Sequence, residues 1–186
     1  LKSLNWGNPK TFDPAALKGD LQRKQHADGS GDLIFTQELR RGSKGRQYAT
    51  NIGFLAVRDV KSVEEVDTSL TPNPELHRVT VAQAIASGKP SVVAFVTPAF
   101  CQTRFCGPVV DQVVTPAWTE FKDRVNVLHI EPYDIAKARG GKLETVPAVQ
   151  EWKLLSEPII FVVGRDGVII AKFEGIMDYP ELQAAF

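Results

Sequence analysis

From residue 80 onward the chain alternates short, uninterrupted apolar runs with segments of helical character. The run at residues 92–96 carries no polar interruption and the run at 125–130 only Asn126 and His129, which predicts strands buried on both faces. Residues 159–163 and 168–173 are two more apolar runs, and the Gly164-Arg165-Asp166-Gly167 stretch between them is a hairpin turn signal. Helices are expected around these strands. Thr80-x-x-Gln83 is a capping-box pattern that opens a short helix through Ser87, and Gly88-Lys89-Pro90 ends it. Residues 102–121 have helical character. Residues 144–152, with Val146-Pro147-Ala148-Val149, read as a loop leading into a short helix, and residues 179–186 read as a terminal helix with Asp178 as its cap. The order α-β-α-β-α-β-β-α predicts a three-layer α/β domain, with parallel strands joined by helices and closed by an antiparallel hairpin.

The first 58 residues are patterned differently and contain few apolar positions. Asp13-Pro14 is a good helix start, which predicts a helix over residues 14–24. Asp28-Gly29-Ser30-Gly31 is a turn, and residues 33–39 and 47–57 are strand candidates joined by the polar loop 40–46. Such a β-rich extension buries too little to stand alone, so it is expected to pack on the later part of the chain. Residues 59–79, with Thr71-Pro72-Asn73-Pro74, read as a linker laid along the surface.

Composition narrows the function classes. Apolar residues make up 43% and charged residues 24% of 186 positions, and the net charge is zero, so overall electrostatics do not favour nucleic acid or an anionic membrane. The local basic cluster Arg40, Arg41, Lys44 and Arg46 reads as a solvated loop. No apolar run approaches the roughly 20 residues of a membrane-spanning helix. No signal peptide is visible, and Leu1 in place of Met leads us to expect a processed chain or a piece of a longer product. His26, His77 and His129 are scattered without metal-motif spacing, so neither a metal nor an organic cofactor is expected. His129 itself reads as a core or strand-end histidine, and Trp6, Trp118 and Trp152 as core or interface aromatics.

The candidate chemistry lies in the two cysteines, Cys101 and Cys106, just after the first buried run. A strand that hands its chain to a helix leaves free backbone N–H groups and the positive end of the helix dipole at the junction, and both favour a thiolate. With the helix starting near Gln102, Cys101 is the residue expected to gain. Residues five apart in a regular helix stand roughly 8–9 Å apart at Cα, beyond the ~7 Å that a disulfide tolerates. Either Cys101 therefore lies in the loop before the helix, or the first turn unwinds on oxidation. Pro108 weakens that turn, because it offers no N–H to the carbonyl of Arg104.

Three features resemble the thioredoxin fold. The strand at 92–96 leads through Thr97-Pro98-Ala99-Phe100 into Cys101; Ser156-Glu157-Pro158 directly precedes the run at 159–163; and a hairpin, Glu174-Gly175 and a terminal helix complete the chain. The resemblance spans residues 80–186. It implies a cis-proline at Pro158 facing the cysteine motif and thiol–disulfide exchange with protein or small-molecule partners. The nearest look-alikes are bacterial, usually extracytoplasmic proteins with an extra N-terminal β-rich region. The spacing departs from the family, since Cys-x4-Cys replaces Cys-x2-Cys. Two registers compete. In one, Phe105-Cys106-Gly107-Pro108-Val109 takes the active-site position, with Val109 in place of the resolving cysteine. In the other, which we prefer, Cys101 is the nucleophile and Cys106 resolves.

Cys-x4-Cys after Thr-Pro also resembles the bacterioferritin-comigratory type of peroxiredoxin. That family's Pro-x3-Thr-x2-Cys is not met, because Ala94 and Pro98 stand where its Pro and Thr belong, and its arginine falls near Pro158. A third reading is a thioredoxin-like binding module with a structural cysteine pair. Around the pair, Pro98, Phe100 and Phe105 are candidate substrate-groove residues, Arg104 is a candidate partner for a thiolate at Cys101, and Glu157 is a candidate proton acceptor.

Overall fold

A computed structural model describes residues 60–186 and, as backbone only, strands β1 (Leu21–Gln25) and β2 (Gly31–Phe35). β1 and β2 pair antiparallel, with Leu21 opposite Phe35 and Gln25 opposite Gly31. Leu21, Gln22, Arg23 and Lys24, expected in a helix, are therefore in a strand. The hydrogen bonds that decide this come from β2, a partner that local helix signals do not register. The remainder of the expected helix, the turn at 28–30, the strand candidates at 36–39 and 47–57, the basic cluster at 40–46, Trp6 and His26 lie outside the described residues.

The rest is an α/β unit built on a four-stranded mixed sheet, whose strands lie in the order β4 (Asn126–Ile130), β3 (Ser91–Phe95), β5 (Ile159–Val163) and β6 (Ile169–Glu174). β3 runs parallel to β4 and antiparallel to β5, and β5 is antiparallel to β6. β3 and β5 are the inner strands and are buried along their whole length, which is why their apolar runs have no alternation. β6 is an edge strand with a half-exposed Lys172 and an exposed Glu174. Its hairpin turns at Gly167, whose φ of +77° is open to glycine, and Gly164 N–H closes it by donating to Val168 O at 2.7 Å.

Alternation along the strands sorts the core into two faces. Val92, Ala94, Val96, Val127, Ile160 and Val162 face one way and pack on Cys106, Val109, Val110, Val113 and Leu182. Val93, Phe95, Leu128, Ile130 and Phe161 face the other way and meet Val81, Ala84, Ala148 and Trp152. Each of the valines, leucines, isoleucines and phenylalanines among them contributes roughly 1.5–3 kcal/mol by leaving water. The helices that cover the faces start where their caps dictate. α1 (Val81–Ala86) has the expected box, with Thr80 Oγ1 accepting from Gln83 N–H at 3.2 Å and Gln83 Oε1 accepting from Thr80 N–H at 2.9 Å. α4 (Ile135–Arg139), which no reading above anticipates, is capped by Asp134 accepting from Lys137 N–H. α5 (Pro147–Glu151) comes after the 144–146 loop, and α6 (Tyr179–Gln183) is capped by Asp178.

The long helix opens later than expected. α2 (Cys106–Val109) begins at Cys106, continues through a π-helical turn (Val110–Val114) and ends as α3 (Thr115–Phe121). The first helical bond runs from Val109 N–H to Phe105 O at 2.9 Å. Pro108 cannot bond the carbonyl of Arg104, so the ladder starts one residue later, and Pro108 occupies the first turn, where a missing N–H costs nothing. Pro116 falls just after the π turn, where its own missing N–H breaks the α register.

Residues 61–77, expected along the surface, instead insert into the fold. Two 3₁₀ turns (Val63–Glu65 and Pro74–His77) carry Val66, Asp67, Leu76 and His77 to buried positions beside β4.

Candidate functional site

Cys101 and Cys106 are joined in a disulfide, with Cα atoms 6.1 Å apart. Cys101 lies in the non-helical stretch before α2 and Cys106 is the first helical residue, so the bridge closes across the loop and not across a helical turn. The helix therefore places its N-terminal amides at Cys106, correcting the expectation that Cys101 sits at that junction. Phe105, the N-cap, has no side-chain capping bond. The two sulfurs differ in access: Cys106 is fully buried in the core, and Cys101 is half-buried and packed on its margin. Cys101 Sγ lies 3.2 Å from Thr103 Oγ1.

The other sequence candidates divide into two groups. Pro98 and Phe100 are half-buried in the loop, while Arg104 and Phe105 are exposed, Phe105 by 43%. Arg104 has no hydrogen bond or ion pair among the described residues. Pro158 is buried directly before β5. The pairing of Phe95 with Ile159 puts it across from Val96, at the end of β3 that runs on to Cys101. Its peptide bond to Glu157 is cis, and its carbonyl accepts from Gly175 N–H at 2.9 Å. Glu157 accepts from the Tyr133 hydroxyl at 3.2 Å. Tyr133 also contacts Gln102, beside Cys101, so one phenol links the Pro158 segment to the cysteine loop. Burial and then the Glu157 carboxylate push that phenol's pKa up.

Beneath the same loop lies a group of residues that sequence reading missed. Asp67, His77, His129 and Glu131 are all buried. Asp67 Oδ2 accepts from His77 Nε2–H at 3.1 Å, and Asp67 Oδ1 stands 3.6 Å from His129 Nδ1. Asp67 also accepts from Ser69 and Asn73 N–H groups. Burial pushes its carboxyl up, but the two imidazoles outweigh burial and hold it well below the usual carboxylate range. Burial moves His77 down. Burial also works against charge on His129, yet Asp67 and Glu131 prevail and its pKa is raised. Glu131 is raised by burial. Thr68 ties this cluster to the disulfide loop: its hydroxyl donates to Glu131 Oε1 at 2.6 Å and accepts from Ala99 N–H at 3.0 Å. A cavity of about 300 Å³ opens beside the cluster, lined in part by His77, His129, Glu131 and Tyr133.

The only hint in the sequence was His129 interrupting an apolar run, read above as a core or strand-end histidine. It is a core histidine, but one with a charged neighbourhood. Among the described residues, no helix is long and apolar enough to cross a membrane. No known family model matches the chain, and no curated protein matches it.

Proposed function

We propose that residues 80–186 form a thioredoxin-like domain that catalyses thiol–disulfide exchange through Cys101 and Cys106. One observation carries the reading: a half-buried sulfur is bonded to a fully buried one, and the buried one opens the helix that comes after the inner strand β3. Pro158 at the same end of the sheet supports it.

The unequal burial supports a division of roles. An incoming thiolate reaches Cys101 Sγ, forms a mixed disulfide there, and the electron pair of the broken S–S bond leaves on Cys106 Sγ. That leaving thiolate sits among the free N–H groups of the helix start, which stabilise it and speed its departure. A second thiolate then attacks the mixed disulfide and releases Cys101, so two substrate thiols are oxidised and the pair is reduced. The reverse sequence makes Cys101 the attacking thiol and Cys106 the resolving one. The helix dipole favours Cys106 as the better leaving group, and exposure favours Cys101 as the point of exchange. Phe100, Phe105 and Pro98 border the approach as an apolar rim for the substrate, with the Pro158 segment opposite for an extended peptide. The oxidised pair suits an oxidising, extracytoplasmic compartment.

Single Cys→Ser variants with a disulfide substrate test this reading. Cys106→Ser, which keeps Cys101, is expected to trap a mixed disulfide that mass spectrometry maps to Cys101, and Cys101→Ser is expected to trap none. Trapping on Cys106 alone reverses the roles. An inert pair makes the domain a binding module, and turnover with peroxide in place of disulfides makes it a peroxidase.

A further inference from the structure

We infer that Asp67, His77 and His129 form a binding site for one divalent transition-metal ion of the zinc class. The site does not depend on the redox reading, because none of its ligands is a cysteine.

The donor set has the right chemistry and spacing. Two imidazoles and a carboxylate each offer one ligand atom, and the three atoms lie within 4.8 Å of one another. Zinc binds nitrogen and oxygen at about 2.0–2.2 Å, so the edges of its tetrahedron are roughly 3.3–3.6 Å. Asp67 Oδ2 stands 3.1 Å from His77 Nε2 and Asp67 Oδ1 stands 3.6 Å from His129 Nδ1, each close to that length. All three side chains are at most 1% exposed, which excludes the interpretation of a solvated surface cluster.

His129 supplies the independent observation. Its Nε2 lies 2.9 Å from Val96 O. A carbonyl only accepts, so Nε2 carries a proton, and whenever the ring is neutral Nδ1 presents a bare lone pair. That atom is fully buried, has no hydrogen-bond partner, and faces the Asp67 carboxylate. A lone pair pointed at an anion in a dry interior is unfavourable unless a positive centre lies between them. A metal ion is such a centre. The Nε2–H to Val96 bond is also the outer-shell contact that orients a ligating histidine. The cavity beside His77 and His129 gives an ion a route in and a fourth-ligand water room, with the unpartnered Glu131 Oε2 among the cavity-lining residues.

The test uses the full chain with its disulfide oxidised, stripped with chelator and then titrated with Co²⁺ and with Zn²⁺. One equivalent of Co²⁺ should bind with the visible absorption of a four-coordinate ion, and Zn²⁺ should displace it. His77→Ala and Asp67→Asn should each weaken binding more than about 100-fold, beyond the range of outer-shell changes. The double variant Cys101→Ser/Cys106→Ser should bind as before. X-ray absorption on the zinc-loaded wild-type chain should find imidazole and oxygen ligands and no sulfur, and it decides the matter even where a variant does not fold. Failure of the oxidised chain to bind either ion overturns the site and assigns the positive centre to a proton on Nδ1. Sulfur ligation, or binding that survives both ligand substitutions, overturns it equally.

Discussion

The disulfide and the buried Asp67–His77–His129 cluster sit at the same end of one sheet face, yet they are built in opposite ways. The disulfide joins residues five positions apart, and its partners are set by a strand, a loop and a helix start in one short stretch. The cluster gathers residues from a 3₁₀ turn, the segment before it and an edge strand, up to 62 positions apart. One sulfur of the first is accessible for chemistry. No side chain of the second exposes more than a trace of surface, and its charges answer only to one another. Thr68 is the joint between them, through Glu131 on one side and Ala99 on the other. Local chemistry can thus be read from spacing, whereas a polar cluster assembled by the fold has no spacing to read.

The comparison breaks most readily at Asp67. Asp67→Ala leaves two buried imidazoles without their shared carboxylate, and the expected loss is about 3–5 kcal/mol, as for one partner removed from a buried charged pair. Urea denaturation in the presence of chelator measures it. A loss below about 1 kcal/mol, the level of a surface pair, would show that the cluster does not anchor residues 61–77 to the sheet.

The disulfide should matter less to stability than to chemistry. Its closed loop is short, and the chain-entropy model gives about 2 kcal/mol for its reduction. Denaturation curves with and without reductant check this. A loss as large as that of Asp67→Ala would make the pair a structural staple and weaken the exchange reading. Thr68→Val comes last. Glu131 keeps the Thr68 backbone N–H, at 2.8 Å, and the exposed Ala99 N–H turns to water, so the net cost should be about 1 kcal/mol. The sharper readout is the rate of disulfide exchange. A change there, with the fold intact, would join the two regions functionally, and an unchanged rate would leave them merely adjacent.

Much of the architecture was legible because its signals are local. The four strands of the main sheet fall within a residue or so of their apolar runs, and the Thr80 and Asp178 caps and the Gly164–Gly167 turn act as their residue types require. The start of the long helix was misread by four residues, since the effect of Pro108 on the ladder was assigned to a weakened turn and not to a later beginning. β1 was misread because it is held by its partner, β2, further along the chain, and hydrogen bonds between strands leave no local trace.

By itself the sequence determined the strands, the caps, the turn and a cysteine pair next to an inner strand, since each depends on residues a few positions apart. Only the tertiary structure decided which sulfur is buried, that the helix start lies at Cys106, and that Asp67, His77 and His129 meet. Burial and electrostatic environment are properties of packing among distant segments, and an aspartate in a polar stretch looks the same in sequence whether it meets water or two histidines.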